Sequence, residues 1–386
     1  MAKRSKKNKN SKKYYYAFIA VVLILVIIVA IIDYNFGLGI VKWDKVFQKE
    51  SKTSESYESV EVDEIGNLKI TFIDVGQGDA ILINFPDGKN MLVDAGENCA
   101  DVLDEYLTVN GEKLVLDYVV ATHTDSDHIG EMDYVYENYQ VNYSYRPYVK
   151  YSGDYTFGGA FSNAGYHPKS TATYGDYLKG VENEGTPNVF FTDDSDFHVS
   201  VTAEDKQIDY SVDFIMPYAK TVEGFKDFTD SNDFSSVMIV EFAGVKIMLT
   251  GDMEKDAEKL FTEYYASNTG EVAKLDCDVL KVAHHGSATS STMSFLNLIK
   301  PEYSVISCGV CHGTYMHPRA EALDNLTAVG SSIYRTDLQG TVTLVVTTSG
   351  EITFTTQTHE YDELLYKDAY EIEDLKDEIK NFKENL

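Results

Sequence analysis

The longest apolar stretch comes first in the chain. Residues Ala17 to Ile32 carry no polar side chain, and Tyr14, Tyr15 and Tyr16 lead into them. With the tyrosines the run approaches the ~20 residues that span a bilayer. Lys3, Arg4, Lys6, Lys7, Lys9, Lys12 and Lys13 precede it with no acid among them. This pattern predicts a cytoplasmic basic segment at 1–13 and a transmembrane anchor at 14–33. The anchor reads as uncleaved, because no small-x-small pattern closes the run and no Cys follows closely. Residues 34–67 are polar and acidic and read as a stalk.

From Leu68 the pattern shortens to strand length. Leu68 to Ile73 alternates, Ala80 to Phe85 follows, and Asp87-Gly88 makes a hairpin turn before Asn90–Asp94. Leu116–Thr122 is a short apolar strand. Residues 143–212 are rich in Tyr, Gly and Asp with weak periodicity, and read as an insert. Strands resume at Ser211–Met216, Val237–Phe242, Val245–Leu249 and Val279–Ala283. A helix is expected over Ser291–Ile299, ended by Pro301, and Val305–Ser307, Thr341–Val346 and Ile352–Thr355 complete the strands. Strands interleaved with helices fit a mixed α/β sandwich over 68–359. From Glu360 to the end the chain reads as an acidic helix, with Ile372, Leu375, Ile379, Phe382 and Leu386 at a/d spacing. That length suits a docked terminal helix better than a coiled coil.

Charge narrows the function. The net charge is −29, and seven cations sit in residues 3–13, so the remainder carries −36. A domain this acidic repels polyanions unless a local cation offsets the field, which argues against simple nucleic-acid binding. Cys99, Cys277, Cys308 and Cys311 are too few for a disulfide framework in a domain of this size. Cys308 to His312 matches the CxxCH haem-attachment pattern, but it sits late in a chain whose other motifs build a hydrolase. A local disulfide or free thiols suit these cysteines better.

The chemistry concentrates at strand ends. His123, Asp125, Asp127 and His128 lie within six residues at the exit of an apolar strand. Asp252 ends another strand in Leu249-Thr-Gly-Asp, and His284-His285-Gly-Ser287 ends a third. Each piece alone has a reading as turn or cap chemistry. Imidazoles and carboxylates delivered together by three strand ends suit a zinc- or manganese-class ion. Such an ion lowers the pKa of bound water towards ~7, which makes hydroxide available as a nucleophile.

These residues resemble the metallo-β-lactamase superfamily, whose HxHxDH motif is matched here by His123-x-Asp125-x-Asp127-His128. The order Phe72 to Ala80, Leu92 to Gly96, the HxDxDH variant, Leu249 to Asp252, His284 to Ser287, then Tyr315 to Pro318 is similar to the extracellular hydrolase domain of ComEC-type competence proteins. Similar signatures occur in phosphorylcholine esterases of the cell wall. The resemblance covers Leu68 to Thr356. It implies an αββα four-layer sandwich with one or two zinc or manganese ions at one edge; in this chain the sandwich is preceded by the one N-terminal transmembrane helix read from the apolar run. His123 and Asp125 would serve a first site, Asp127 and His128 a second, and Asp252 would bridge them. His285, or else His284, would complete the second site and leave the other facing substrate. Asp94 would hold the ligand loop from beneath, and Asp127, His284 and His317 are the candidate catalytic residues. Asp125 replaces the usual His of the motif. The His expected before the bridging Asp has no clear counterpart among His167, His198 and Asn232.

Three functions follow as expectations. The first is a membrane-anchored extracellular phosphodiesterase or nuclease using a metal-bound hydroxide, with DNA a candidate substrate and a partner channel required for any uptake role. The second is a cell-wall esterase acting on phosphocholine-bearing polymers, and the third a non-catalytic anchored module. The Gly286–Thr292 turn is expected to offer free amides to an anion. The insert aromatics, from Tyr143 to Tyr166, either stack on substrate or pack the insert, with Arg146 and Lys150 as nearby cations.

Overall fold

A computed structural model describes residues 58–158, 163–191, 195–204, 206–216, 227–267, 275–309 and 316–357. The expected anchor and tail helix lie outside the described residues, as do Phe161, Cys311, His312 and Tyr315. Among the described residues no helix is long and apolar enough to cross a membrane.

In chain order the strands begin with β1 (Glu58–Glu61), β2 (Leu68–Phe72), β3 (Ile81–Asn84), β4 (Asn90–Val93), β5 (Thr108–Val109), β6 (Glu112–Lys113) and β7 (Tyr118–Val120). Then come β8 (Ser144–Arg146), β9 (Val149–Tyr151), β10 (His167–Lys169), β11 (Asn188–Phe190), β12 (Phe197–Ala203) and β13 (Lys206–Met216). The last are β14 (Val237–Phe242), β15 (Val245–Leu249), β16 (Val279–Lys281), β17 (Tyr303–Ile306), β18 (Ser332–Arg335), β19 (Val342–Val346) and β20 (Ile352–Thr356). The helices are α1 (Ala100–Leu107), α2 (Ser126–Ile129), α3 (Met132–Asn138), α4 (Ala172–Glu184), α5 (Lys255–Ser267), α6 (Met293–Ile299), α7 (Ala320–Ala328) and α8 (Thr336–Gln339). One eight-stranded sheet runs β1-β12-β13-β14-β15-β16-β17-β18, and the other runs β11-β8-β7-β4-β3-β2-β19-β20.

Strand alternation sorts the apolar side chains into three layers. Leu68, Ile70 and Phe72 of β2 meet Met238, Val240, Ile247 and Leu249 of β14 and β15 between the sheets. Leu82 and Leu92 point the other way, under Leu103, Met132, Val135, Tyr174 and Leu178 of α1, α3 and α4. On the far side Ile239, Met248 and Leu280 lie under Phe261, Phe295, Leu296 and Leu326 of α5, α6 and α7. The result is the four-layer αββα sandwich that the sequence predicted.

Three expectations need correction. Residues 143–212 are not one loop-rich insert: β8 and β11 extend one sheet, and β12 and β13 are integral to the other. Tyr145, Val199, Val201 and Tyr210 of these strands are all buried between the sheets. The stalk gives way early, because β1 pairs in parallel with β12 from Glu58 onward. Helix α6 starts at Met293, not Ser291, because the Thr292 side chain caps it and accepts from the Phe295 amide at 3.4 Å.

Candidate metal centre

The parallel strands β4, β7, β15, β16 and β17 all end at one edge, and the chemistry sits just beyond them. Backbone bonds tie the ends together: Ser236 N donates to Thr122 O at 3.0 Å, and His284 N to Gly251 O at 3.1 Å. The loops there are tight. Asp94, His284 and His285 adopt left-handed backbones at φ 57°, 49° and 52°. Non-glycine residues seldom sit there, and such strain collects where side chains must be aimed. A Cβ on Gly251 would lie 3.0 Å from the Cβ atoms of Ser235 and Thr122, so only glycine lets the Asp252 loop close against the His123 strand.

Asp94 is fully buried and accepts three bonds: Thr122 N at 2.8 Å, Thr122 Oγ1 at 2.6 Å and His128 Nδ1 at 2.7 Å. His285 Nδ1 lies 2.8 Å from the Ser307 carbonyl. A carboxylate and a carbonyl only accept, so both Nδ1 atoms carry protons. When the rings are neutral, as metal-binding imidazoles are, they present bare Nε2 lone pairs, and these two Nε2 atoms lie 3.2 Å apart. Without a cation or shared proton between them, that contact is repulsive. Two donors on one ion at ~2.0–2.2 Å lie no more than about 4.4 Å apart. Asp252 Oδ1 is 3.1 Å from His128 Nε2, and His285 Nε2 is 3.3 Å from both Asp252 Oδ2 and Asp127 Oδ2. The Nε2 atoms of His128 and His285 and the Asp252 carboxylate thus lie close enough for a single divalent ion, with Asp127 beside His285.

With no ion between them, the carboxylates draw protons onto these rings instead. Burial disfavours charge on His128 and His285, yet Asp252 and the neighbouring carboxylates outweigh it. His128 is held well above the ordinary imidazole value, and His285 is pushed up to about 9. Burial also opposes charge on Asp252, but the surrounding histidines drive its carboxyl well below the usual range. The pocket gathers negative charge that needs a cation.

His123 Nε2 is buried, has no hydrogen-bond partner, and lies 4.0 Å from Asp252 Oδ2. His284 Nε2 approaches the same oxygen at 3.8 Å while its Nδ1 meets Glu254 Oε1 at 2.9 Å. Asp125 is turned to other partners: it is ion-paired to Lys169 and accepts from Ser231 Oγ at 2.9 Å. His317 is buried with its ring 5.3 Å from that of His284. Burial, together with the charge on His284 and His285, lowers its pKa to about 4, so it is neutral near pH 7.

His198 faces Asp213 at 2.9 Å on the β12–β13 hairpin. His167 packs its ring 5.6 Å from that of Phe234, and Asn232 Nδ2 reaches Glu254 at 3.5 Å. Arg146 is buried over the Phe190 ring and donates to Asn188 Oδ1, so it is no surface cation. The Gly286–Thr292 turn is not the open anion site expected of it. The buried Glu258 carboxylate already accepts from the Ser291 and Thr292 amides, at 2.5 and 2.8 Å. Cys99, Cys277 and Cys308 are buried free thiols.

The sequence reading missed Asp79, Lys281, Glu254, Glu258 and Lys169. Asp79, His128, Asp252 and His285 can each offer a ligand atom within 4.8 Å of the others. The Asp79 carboxylate, however, lies on the Nδ1 side, 3.8 Å from His128 and 3.5 Å from His285, and is ion-paired with buried Lys281. Asp127 instead faces the His285 Nε2 at 3.3 Å, while Asp79 lies behind the rings. The visible signal was a lone lysine closing the apolar strand β16.

A model of the Metallo-beta-lactamase superfamily matches residues 73–310. The chain belongs to that superfamily. The metallo-β-lactamase superfamily member is 26% identical over 292 residues to ComE operon protein 3 of Bacillus subtilis (strain 168), covering 71% of this chain and 32% of that protein. It is 27% identical over 305 residues to Competence protein ComA of Neisseria gonorrhoeae, covering 79% and 35% respectively. The likeness to competence proteins read from the motif order is therefore present in the comparison of sequences, although this chain spans about a third of the length of these relatives. Among solved structures it is similar to the CmlA beta-hydroxylase E377D mutant, at a TM-score of 0.41 and 13% identity over 72% of this chain and 53% of that one.

Proposed function

We propose that this metallo-β-lactamase superfamily member is a membrane-anchored, extracellular, metal-dependent phosphodiesterase or nuclease. The observation that carries the metal reading is the pair of Nε2 atoms 3.2 Å apart, each with its Nδ1 committed elsewhere. His128, His285, Asp127 and Asp252 would hold the ion. When bound, a zinc- or manganese-class ion lowers the pKa of water towards ~7 and polarises the oxygen of the scissile group.

The chain's own residues do the rest. Asp94 and the Ser307 carbonyl fix the tautomers of His128 and His285, so the donor lone pairs point inward. Asp252 lies between four imidazoles and bridges the two halves of the site. His284, oriented by Glu254, and neutral His317 flank the open side, where a hydrogen bond to a leaving oxygen belongs. The phosphodiester preference rests on the competence-protein relatives. The apolar run at 14–32 with its basic flank supports the anchor.

A second reading, a cell-wall esterase, is favoured by the charge of −36 beyond the basic segment and by Glu258 filling the turn at 291–292. An activity panel separates them. The protein is assayed with several divalent metals on single-stranded DNA, a bis-aryl phosphodiester and a phosphocholine ester. Hydrolysis of the first two, abolished by chelator, is expected. Turnover of the phosphocholine ester alone would favour the esterase, and none with any metal would favour a non-catalytic module.

A further inference from the structure

We infer that Lys169 occupies the first cation position, so that the centre is built for one metal ion and one fixed ammonium. The inference rests on the metal reading above and deepens it. Asp125 stands where the superfamily motif has an imidazole, and it is not left open to an ion. Lys169 Nζ pairs with Asp125 Oδ1 and donates to Ser231 Oγ at 2.9 Å, while Ser231 Oγ donates to the same Asp125 oxygen at 2.9 Å. The three groups form a closed triangle at the rim of the site.

The lysine is held from its own side as well. Strand β10 pairs in parallel with β9, with Lys169 opposite Tyr151. The Lys169 carbonyl accepts from Ser152 N at 2.9 Å. Tyr151 in turn is gripped by Asn163, whose side chain accepts from the Tyr151 amide at 2.8 Å and donates to its carbonyl at 2.9 Å. The Lys169 side chain is 19% exposed and that of Asp125 34%, so the pair is half-buried and partly screened by solvent.

Charge bookkeeping then divides the site. Asp127 and Asp252 face His128 and His285 and call for a divalent ion. Asp125 is neutralised by Lys169. A second divalent ion using Asp125 would have to displace the ammonium or lie against it, and like charges at that separation repel strongly. His123, its Nε2 without a partner 4.0 Å from Asp252, is left as a donor that a second ion reaches only when Lys169 yields.

The test is metal stoichiometry on the full chain, by equilibrium dialysis against manganese and then zinc, followed by elemental analysis. The wild type should retain one ion. Lys169→Met keeps the aliphatic stem and removes the charge, and should retain a second ion about 10- to 100-fold more tightly than wild type does, the scale on which such neighbours act. Lys169→Arg keeps the charge and should behave as wild type. Lys169→Met/Asp125→Asn should fall back to one ion. Thermal melts of each variant show that it is folded. A wild type holding two ions with equal tenacity would overturn the inference. So would unchanged or weakened binding in Lys169→Met, which would make the lysine an outer partner of a ligating Asp125. Absence of any bound ion in every protein would instead overturn the metal reading itself.

Discussion

The sharpest consequence of the site geometry concerns a residue that touches no ion. Asp94 Oδ1 accepts from the Thr122 amide, while Oδ2 accepts from Thr122 Oγ1 and His128 Nδ1. In Asp94→Asn the carbonyl oxygen stays on the Thr122 amide, because only an acceptor suits it. The new NH₂ then faces His128 Nδ1, which must accept instead of donate. The ring changes tautomer, its proton moves to Nε2, and the lone pair aimed at His285 and Asp252 is lost. Loss of such an outer partner lowers metal affinity about 10- to 100-fold, which is about 1.4 to 2.8 kcal/mol. Asp94→Ala should behave differently. It leaves three buried donors unpaired at roughly 1–3 kcal/mol each, a sum comparable with the whole stability of a domain, about 5–15 kcal/mol. Competition with a chromophoric chelator measures affinity, and circular dichroism follows folding. Asp94→Asn should be folded and weak in metal, and Asp94→Ala unfolded or nearly so. Wild-type affinity in a folded Asp94→Asn would refute the tautomer argument.

Further expectations concern other parts of the molecule. Asp127→Ala should reduce hydrolysis to background while the domain stays folded, since its side chain is 29% exposed and its contact is to the site; full activity would sink the metal mechanism. Burial pushes the Asp233 carboxyl from the usual 3.8 up to about 6, so its stabilising share is present below 3.8 and is lost as pH rises through about 6. Asp233→Asn, which keeps an acceptor for the Ala257 amide, should flatten melting temperature across that window, and an unaltered pH profile would contradict the assignment. Protease shaving of intact cells should release a fragment beginning in the 34–57 segment, whereas complete protection on accessible cells would overturn the outward topology.

Much of the fold was legible because alternation and burial agree. Leu68, Ile70 and Phe72 fall every second residue, and they enter the core together. The candidate donors were legible because His123, Asp127, His128, Asp252 and His285 all follow strand ends, and the fold brings them together there. The sequence could not choose between His284 and His285, since both follow the same strand. The choice turns on which Nδ1 meets Ser307 and which meets Glu254, contacts made 22 and 30 residues away. Lys169 was invisible for the same reason: it lies 44 residues from Asp125 and is brought there by β10. The turn at 286–292 misled because its composition is that of an anion site, and nothing local reveals that Glu258, from α5, already occupies it. Weak periodicity hid β12 and the first half of β13, whose partners lie in both halves of the chain, whereas Ser211–Met216 was read as a strand.

The most direct test of the metal centre is an anomalous difference map from crystals of the protein grown with zinc, and again with manganese. The account predicts a peak about 2.0–2.3 Å from His128 Nε2, His285 Nε2 and the carboxylates of Asp127 and Asp252. A peak on the Nδ1 side beside Asp79 and Lys281, or no peak at all under saturating metal, would contradict it.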